Sequence, residues 1–285
     1  MLDFVTEDKN IGKRSMKQEE RWYNLKSPLR LVEGVDMSKA LFRIFSFDGL
    51  LQMLNENANY LVKTSLWEDV YENFILKEVV KRDGKETAMN SLADIFYGQC
   101  WTSRKSSDAM WRIYSPDKKS VRIKTRLGKL YNMITPNDGA FIVGQVRYYS
   151  QAKIEEDISN LPVLIKGEII SLIIQSLFTK RNSFSHEAEY RVIYVANSEK
   201  EKVDSPAKPF LINPLDFIEN IYFDPRADDA YVERCTKILT NAFNYPKSRI
   251  RKSSLYSFTS QPISFVDKYG KSNWDIAVQD RLKEL

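Results

Sequence analysis

Apolar positions take up a strand rhythm at residue 41. Leu41-Phe-Arg-Ile-Phe45 is rich in branched and aromatic residues and predicts a strand with Arg43 at its centre. Ser46 is placed to cap a helix, and Phe47, Leu50, Leu51 and Leu54 fall at i, i+3, i+4 and i+7. Residues 59–65 return as a second strand, followed by an exposed acidic-aromatic turn over 67–72. A helix broken near Asp83-Gly84 is expected over 73–95, then a strand over 96–102. Ser106 or Ser107 with Asp108 opens a short helix carrying Met110, Trp111 and Tyr114. Val121, Ile123 and Thr125 alternate with Arg122, Lys124 and Arg126, which predicts a half-exposed strand with a basic outer face. Residues 141–149 form another strand. The longest amphipathic helix is expected over 161–180, where Leu161, Ile165, Ile169, Ile173 and Leu177 recur every fourth position. A strand over 189–196 and a polar loop to 207 come next. Strands near Phe210 and Ile221, a helix capped near Asp228, and strands near Arg249 and Phe258 complete the pattern. Residues 1–38 are polar and charged, read as an arm with a short helix near Trp22. The expected architecture is one α+β domain over 39–285, its mixed or antiparallel central sheet flanked by helices.

Composition narrows the chemistry. The 285 residues are 43% hydrophobic and 28% charged, in the ordinary globular range. Pro162, Lys166, Gly167 and Glu168 interrupt the most apolar stretch, so no spanning helix is predicted and no membrane partner is expected. The charged beginning lacks the apolar core of a signal peptide, and Cys100 and Cys235 are too few for a disulfide framework; the expectation is a cytoplasmic protein. One histidine, His186, excludes a His-rich metal site, and no metal is expected. Glycine-rich phosphate cradles are missing as well. Chemistry here has to run on carboxylates, Arg and Lys, hydroxyls and aromatic rings.

Four stretches in order resemble the bacterial family known as domain of unknown function 2971. They are Leu41-Phe-Arg-Ile-Phe-Ser-Phe47; residues 60–72, which keep Asp69 and Glu72 but have Val70 where the family shows Pro; Cys100-Trp101 with Ala109-Met-Trp-Arg-Ile-Tyr114; and Phe184-Ser-His-Glu-Ala-Glu-Tyr-Arg191. More distantly, the strand–helix–strand start with Arg43, the hydroxyl pair Thr64-Ser65 and the late Glu187-x-Glu189 resemble ADP-ribosyltransferases, although no clean aromatic-Ser-Thr-Ser strand is present. That resemblance implies an ADP-ribosyltransferase-like core using NAD as substrate. Its catalytic residues would be Glu189, Glu187 and Ser65; Arg43, Thr64, Trp111 and Tyr114 would hold the dinucleotide; Asp69, Glu72 and Arg191 are further candidates.

The physical logic supports the assignment. An Arg fork suits a pyrophosphate. A carboxylate by the ribose favours the oxocarbenium-like charge that develops as nicotinamide departs. Carboxylates at i and i+2 share one strand face, so Glu187 and Glu189 are expected side by side on a strand. Each candidate also has a plainer role: Arg43 with a carboxylate partner, Trp111 in the core, and the two glutamates as surface ion-pair partners of Arg191, Lys180 or Arg181. The competing functions are a nucleic-acid-binding or RNA-processing protein, using Arg122, Lys124, Arg126, Lys129 and the 247–252 run, and a non-catalytic protein partner within a defence system. The residues leave the oligomeric state open.

Overall fold

The computed structural model describes residues 30–32, 36–77, 79–82, 85–88, 93–133, 140–159, 169–196 and 205–258. Strand β1 (Arg30–Val32) lies inside the stretch read as an arm. After β2 (Ala40–Phe45), Ser46 Oγ accepts the Gly49 N–H and starts α1 (Phe47–Glu56), which buries Phe47, Leu50, Met53 and Leu54. Asn57, at φ 48°, ends the helix in the left-handed region, and β3 (Ala58–Lys63) begins at once. A 3-10 turn (Thr64–Leu66) and the short α2 (Phe74–Lys77) follow.

Residues 79–88 depart from the expected helix. Here β4 (Val79–Arg82) and β5 (Lys85–Ala88) pair antiparallel on either side of Asp83-Gly84. Branched Val79, Val80 and Thr87 around an Asp-Gly pair are a hairpin signal, and it outweighs the weak helical spacing.

The chain continues through β6 (Phe96–Thr102), α3 (Asp108–Tyr114, capped by Ser107), β7 (Val121–Arg126), α4 (Leu127–Tyr131), β8 (Ala140–Gln145), β9 (Arg147–Tyr149) and α5 (Gln151–Ser159). Then come α6 (Ile169–Leu177), β10 (Thr179–Arg181), a 3-10 turn (Asn182–Glu187) and β11 (Glu189–Val195). The last elements are β12 (Ala207–Leu211), α7 (Pro214–Phe217), β13 (Asn220–Phe223), α8 (Asp229–Phe243, capped by Asp228), a 3-10 turn (Lys247–Arg249) and β14 (Ile250–Lys252). The expected Trp22 helix and the first part of the 161–180 helix lie outside the described residues, and no strand stands at Phe258 among them. No helix of the described residues is long and apolar enough to cross a membrane. Contacts divide the chain into units Met1–Ser253 and Ser254–Leu285; in the second, the Ser257 N–H closes a turn on Ser254 O at 3.0 Å.

The fold is a large mixed sheet flanked by helices. Its path is β1-β8-β11-β6-β2-β7-β13-β14, parallel at β1–β8 and β13–β14 and antiparallel elsewhere. Side-chain alternation splits the core in two. Phe141, Val143, Val192 and Tyr194 join α1 and α8 in one cluster, while Ala140, Ile142, Ile193 and Val195 join α2 and α6 in the other. Both faces are therefore covered, and every residue of β11 is buried.

Strand β7 is interior, which corrects the half-exposed basic face. Arg122 is buried under the rings of Phe42, Trp111 and Tyr222, 5.0, 5.6 and 4.7 Å away, and burial lowers its guanidinium to about 10. Lys124 and Arg126 pair with Glu219 at 2.7 and 2.5 Å, and Lys129 pairs with Asp216 at 3.3 Å. The second basic run is similarly engaged: Arg249 donates to Leu215 O at 2.8 Å and Lys252 pairs with Asp229 at 2.8 Å.

The sheet forks at β6. Its outer edge meets β3 at Gly98 and Tyr97 but meets β2 only at Thr102, so the stretch between splays into two branches. Gly98 stands at the root of the fork because a Cβ there would lie 2.5 Å from Trp67 Cζ2. We expect Gly98→Ala to push the indole aside and cost about 1–3 kcal/mol in urea unfolding, in the manner of an overpacked core. A stability equal to the parent would show that Trp67 yields freely.

Candidate active site

The fork encloses a cavity of about 260 Å³. One branch supplies Phe42, Arg43 and Ile44 from β2, the other Tyr60 and Val62 from β3, and Gly98 to Thr102 of β6 form the floor. Trp67, Met110, Tyr114, Glu187 and Glu189 complete the wall. Gln99 ties the β3 branch to the floor. Its side chain exchanges two hydrogen bonds with Asn59, at 2.9 and 2.8 Å, donates to Tyr60 O at 2.9 Å, and accepts from Trp101 Nε1 at 2.8 Å.

Arg43 projects from β2, half-buried, and stacks only on the Phe45 ring at 5.0 Å. Among the described residues it has no carboxylate partner, so its plainer role as an ion-pair residue does not apply. Burial lowers its guanidinium from the ordinary value.

The other wall is anionic. Glu187 ends a 3-10 turn and Glu189 begins β11, with Ala188 between them at φ 43°. This corrects the expected shared strand face: a left-handed residue, not strand alternation, brings both carboxylates to the cavity. Nor are they at the surface; Glu187 is 5% exposed and Glu189 3%. Tyr114, on the last turn of α3, donates to Glu187 Oε1 at 2.7 Å. Lys180 Nζ donates to Glu187 Oε2 at 2.6 Å and Glu189 Oε2 at 3.1 Å, and it pairs with Glu72 at 3.0 Å. Arg191, fully buried, donates to Glu189 Oε1 at 2.8 Å, Glu72 Oε1 at 2.6 Å and Leu177 O at 2.5 Å, and lies 4.5 Å over the Trp67 ring. Three carboxylates thus meet two cations, leaving one net negative charge.

Desolvation alone would raise the Glu189 carboxyl. Arg191, by charge and hydrogen bonds, and then Lys180 overrule it and hold the group at about 2. Desolvation and the neighbouring Glu187 push the Tyr114 phenol far up, while burial lifts Tyr148, whose hydroxyl accepts the Glu189 N–H at 2.9 Å, to about 12. Cys100 on the floor is likewise pushed well up, by burial and then Glu189, which keeps it a thiol.

The structure therefore brings Arg43, Tyr114, Glu187 and Glu189 together. Glu72 and Arg191 stand behind Glu189, and Glu72 is buried rather than part of an exposed turn. Asp69 is tied to Arg181 at 3.1 Å. Thr64, Ser65 and Trp111 do not line the cavity. The chain leaves β3 into a 3-10 turn that buries Thr64 and turns Ser65 outward, and Trp111 is core, covering Arg122. Tyr60, Trp67 and Cys100 join the site from the stretches that carry the family resemblance, and Lys180, expected as a surface partner of the glutamates, pairs with both of them in the interior. His186 falls within the 3-10 turn, its Nδ1 3.2 Å from Ser183 O.

Residues 110–192 match the family model described as a protein of unknown function (DUF2971). This span holds the Met-Trp-x-x-Tyr and Glu-x-Glu-x-Arg stretches, so the expected resemblance is found where the site lies. Among solved structures the chain is similar to Thermus sp. 2.9 DarT in complex with NAD+, at 14% identity and a TM-score of 0.38, covering 78% of this chain and 99% of that one. It is similar to the same DarT in complex with ADP-ribosylated ssDNA at 13% identity and a TM-score of 0.37, covering 78% and 98%. No curated protein matches the sequence.

Glu189 lies at about 2 against an ordinary 4.5, so its stabilising contribution is complete above 4.5 and disappears as pH falls towards 2. Glu189→Gln should flatten acid unfolding across that window. It should also lower stability at neutral pH by about 3–5 kcal/mol, because Arg191 and Lys180 lose a buried partner. Matched pH series of urea unfolding for parent and variant check both; a variant as stable as the parent would contradict the buried pairing.

Proposed function

We propose that the fork cavity takes up NAD and breaks the bond between nicotinamide and ribose, passing ADP-ribose to an acceptor or to water. The observation that carries this reading is Arg43: a cation with no carboxylate partner among the described residues, lining the same cavity as the net-negative Glu187–Glu189 wall. A cavity with opposite charges on its two sides suits a ligand that is itself dipolar. A dinucleotide offers an anionic pyrophosphate to Arg43 and a cationic nicotinamide riboside to the glutamates. The volume lies just under the range of about 300–1,000 Å³ typical of small-molecule sites, which fits one nucleoside half.

In the reaction, the C1′–N bond breaks with its electron pair going to nicotinamide, which leaves neutral, and positive charge develops on the ribosyl ring. Glu189, ionised throughout the neutral range and fixed from behind, stabilises that charge without reorganising. Glu187, hydrogen-bonded to the partly exposed Tyr114, orients the acceptor, whose oxygen forms the new bond to C1′ as its O–H bond breaks and the proton passes to solvent. Trp67, Tyr60 and Tyr114 supply ring faces along the wall. The reading rests on the cavity rather than on the likeness to DarT, whose structures hold NAD+ and ADP-ribosylated ssDNA. We further propose that such an activity would serve as a toxin or anti-phage effector.

Nicotinamide release from NAD is the test, with water, single-stranded DNA and cell lysate as acceptors. Glu189→Gln should lose on the order of a hundredfold to a thousandfold in rate per folded molecule. Arg43→Ala is the cleaner probe. Its side chain has no ion pair to lose, so the variant should melt near the parent while KM for NAD rises at least tenfold. A parent that releases no nicotinamide with any acceptor would remove the enzyme reading. Growth arrest on expression, absent for Arg43→Ala, tests the toxin role.

A further inference from the structure

Lys180 does not line the cavity, yet its ammonium touches every buried carboxylate of the site. It reaches Glu187 Oε2 at 2.6 Å, Glu72 Oε1 at 3.0 Å and Glu189 Oε2 at 3.1 Å. Its position is a product of topology. Strand β10 pairs parallel with β9, Lys180 opposite Tyr148, and the two-residue period turns Lys180 inward while Thr179 and Arg181 stay half-exposed. The side chain is 9% exposed, and its ammonium lies 4.8 Å over the Phe184 ring.

We propose that Lys180 is a positioning residue that gathers Glu187 and Glu189 into one anionic wall and fixes how the two face the ligand. This deepens the NAD reading and rests on it for its catalytic consequence. Arg191 reaches Glu189 and Glu72 but is not bonded to Glu187; Tyr114 reaches Glu187 but is not bonded to Glu189. Lys180 is the group that joins the two halves. Around Lys180 stand the three glutamates, Tyr114 and Tyr148, and around the Glu189 it holds stand Arg191 and the Cys100 thiol. Without the ammonium, three carboxylates would confront one guanidinium, and Glu189 would take up a proton at a higher pH than it now does.

The experiment compares the full chain with Lys180→Met, which keeps length without charge, and Lys180→Arg, which keeps charge with a planar fork in place of three tetrahedral donors. For Lys180→Met we expect kcat for nicotinamide release to fall at least a hundredfold, KM for NAD to stay within about threefold, and a new acid limb to enter the kcat profile in a pH range where the parent's is flat. For Lys180→Arg we expect a tenfold fall in kcat with a flat profile. Carbon-13 titration of the Glu189 carboxyl is read in parallel: it should be still in the parent over that range and move in Lys180→Met. A folded Lys180→Met with kcat within threefold of the parent and no acid limb overturns the proposal. If Lys180→Met does not fold, Lys180→Arg with the parent's kcat overturns it. The two failures separate cleanly. A parent without nicotinamide release removes the NAD reading, whereas a Glu189 carboxyl that titrates identically in parent and variant removes Lys180's hold whatever the activity.

Discussion

A fully buried guanidinium is the constraint on which the rest of this structure turns. Arg191 sits in the middle of a strand whose every residue is covered, and taking its charge out of water costs several kcal/mol before any partner is counted. Glu189 beside it and Glu72 from the opposite loop offset that cost, and the loop is thereby drawn against the sheet. Trp67 comes with the loop and covers the guanidinium face. Lys180 then answers the surplus of carboxylate that Arg191 alone leaves. The result is a wall whose charges are fixed by one another, which is the kind of preorganisation electrostatic catalysis needs.

The opposite wall obeys a different logic. Arg43 sits where two sheet branches separate, and no described carboxylate comes to meet it. A buried charge is normally paired, whereas this half-buried one faces the cavity without a carboxylate among the described residues. The division between a self-compensated wall and an uncompensated one gives the cavity its polarity.

Local rules carried much of this into the sequence. Ser46, Ser107 and Asp228 cap the helices that spacing predicts, because a cap depends only on the next three residues. Arg43 at the centre of a strand and Tyr114, Glu187 and Glu189 at element ends are legible as chemistry-bearing residues. What eluded pattern was whatever is decided at long range. Arg191 and Glu72 are 119 positions apart, and Lys180 belongs to a strand of three residues defined only by its pairing with β9. The basic alternation of β7 looked like a solvated face because sequence does not show that β2 and β13 flank it or that Glu219 answers two of its charges. The break at Asp83-Gly84 is legible in the sequence, whereas the pairing of the segments on either side of it as strands is not.

The amide pair between Asn59 and Gln99 gives the cavity floor a property its walls lack. Both groups are neutral, each donates and accepts once to the other, and neither takes up or loses a proton at any pH the protein meets. The β3 branch is thus tied to the β6 floor by a clasp blind to acid, while the carboxylates of the wall beside it respond to acid. Changes in medium can retune the charge of the wall without loosening the join beneath it.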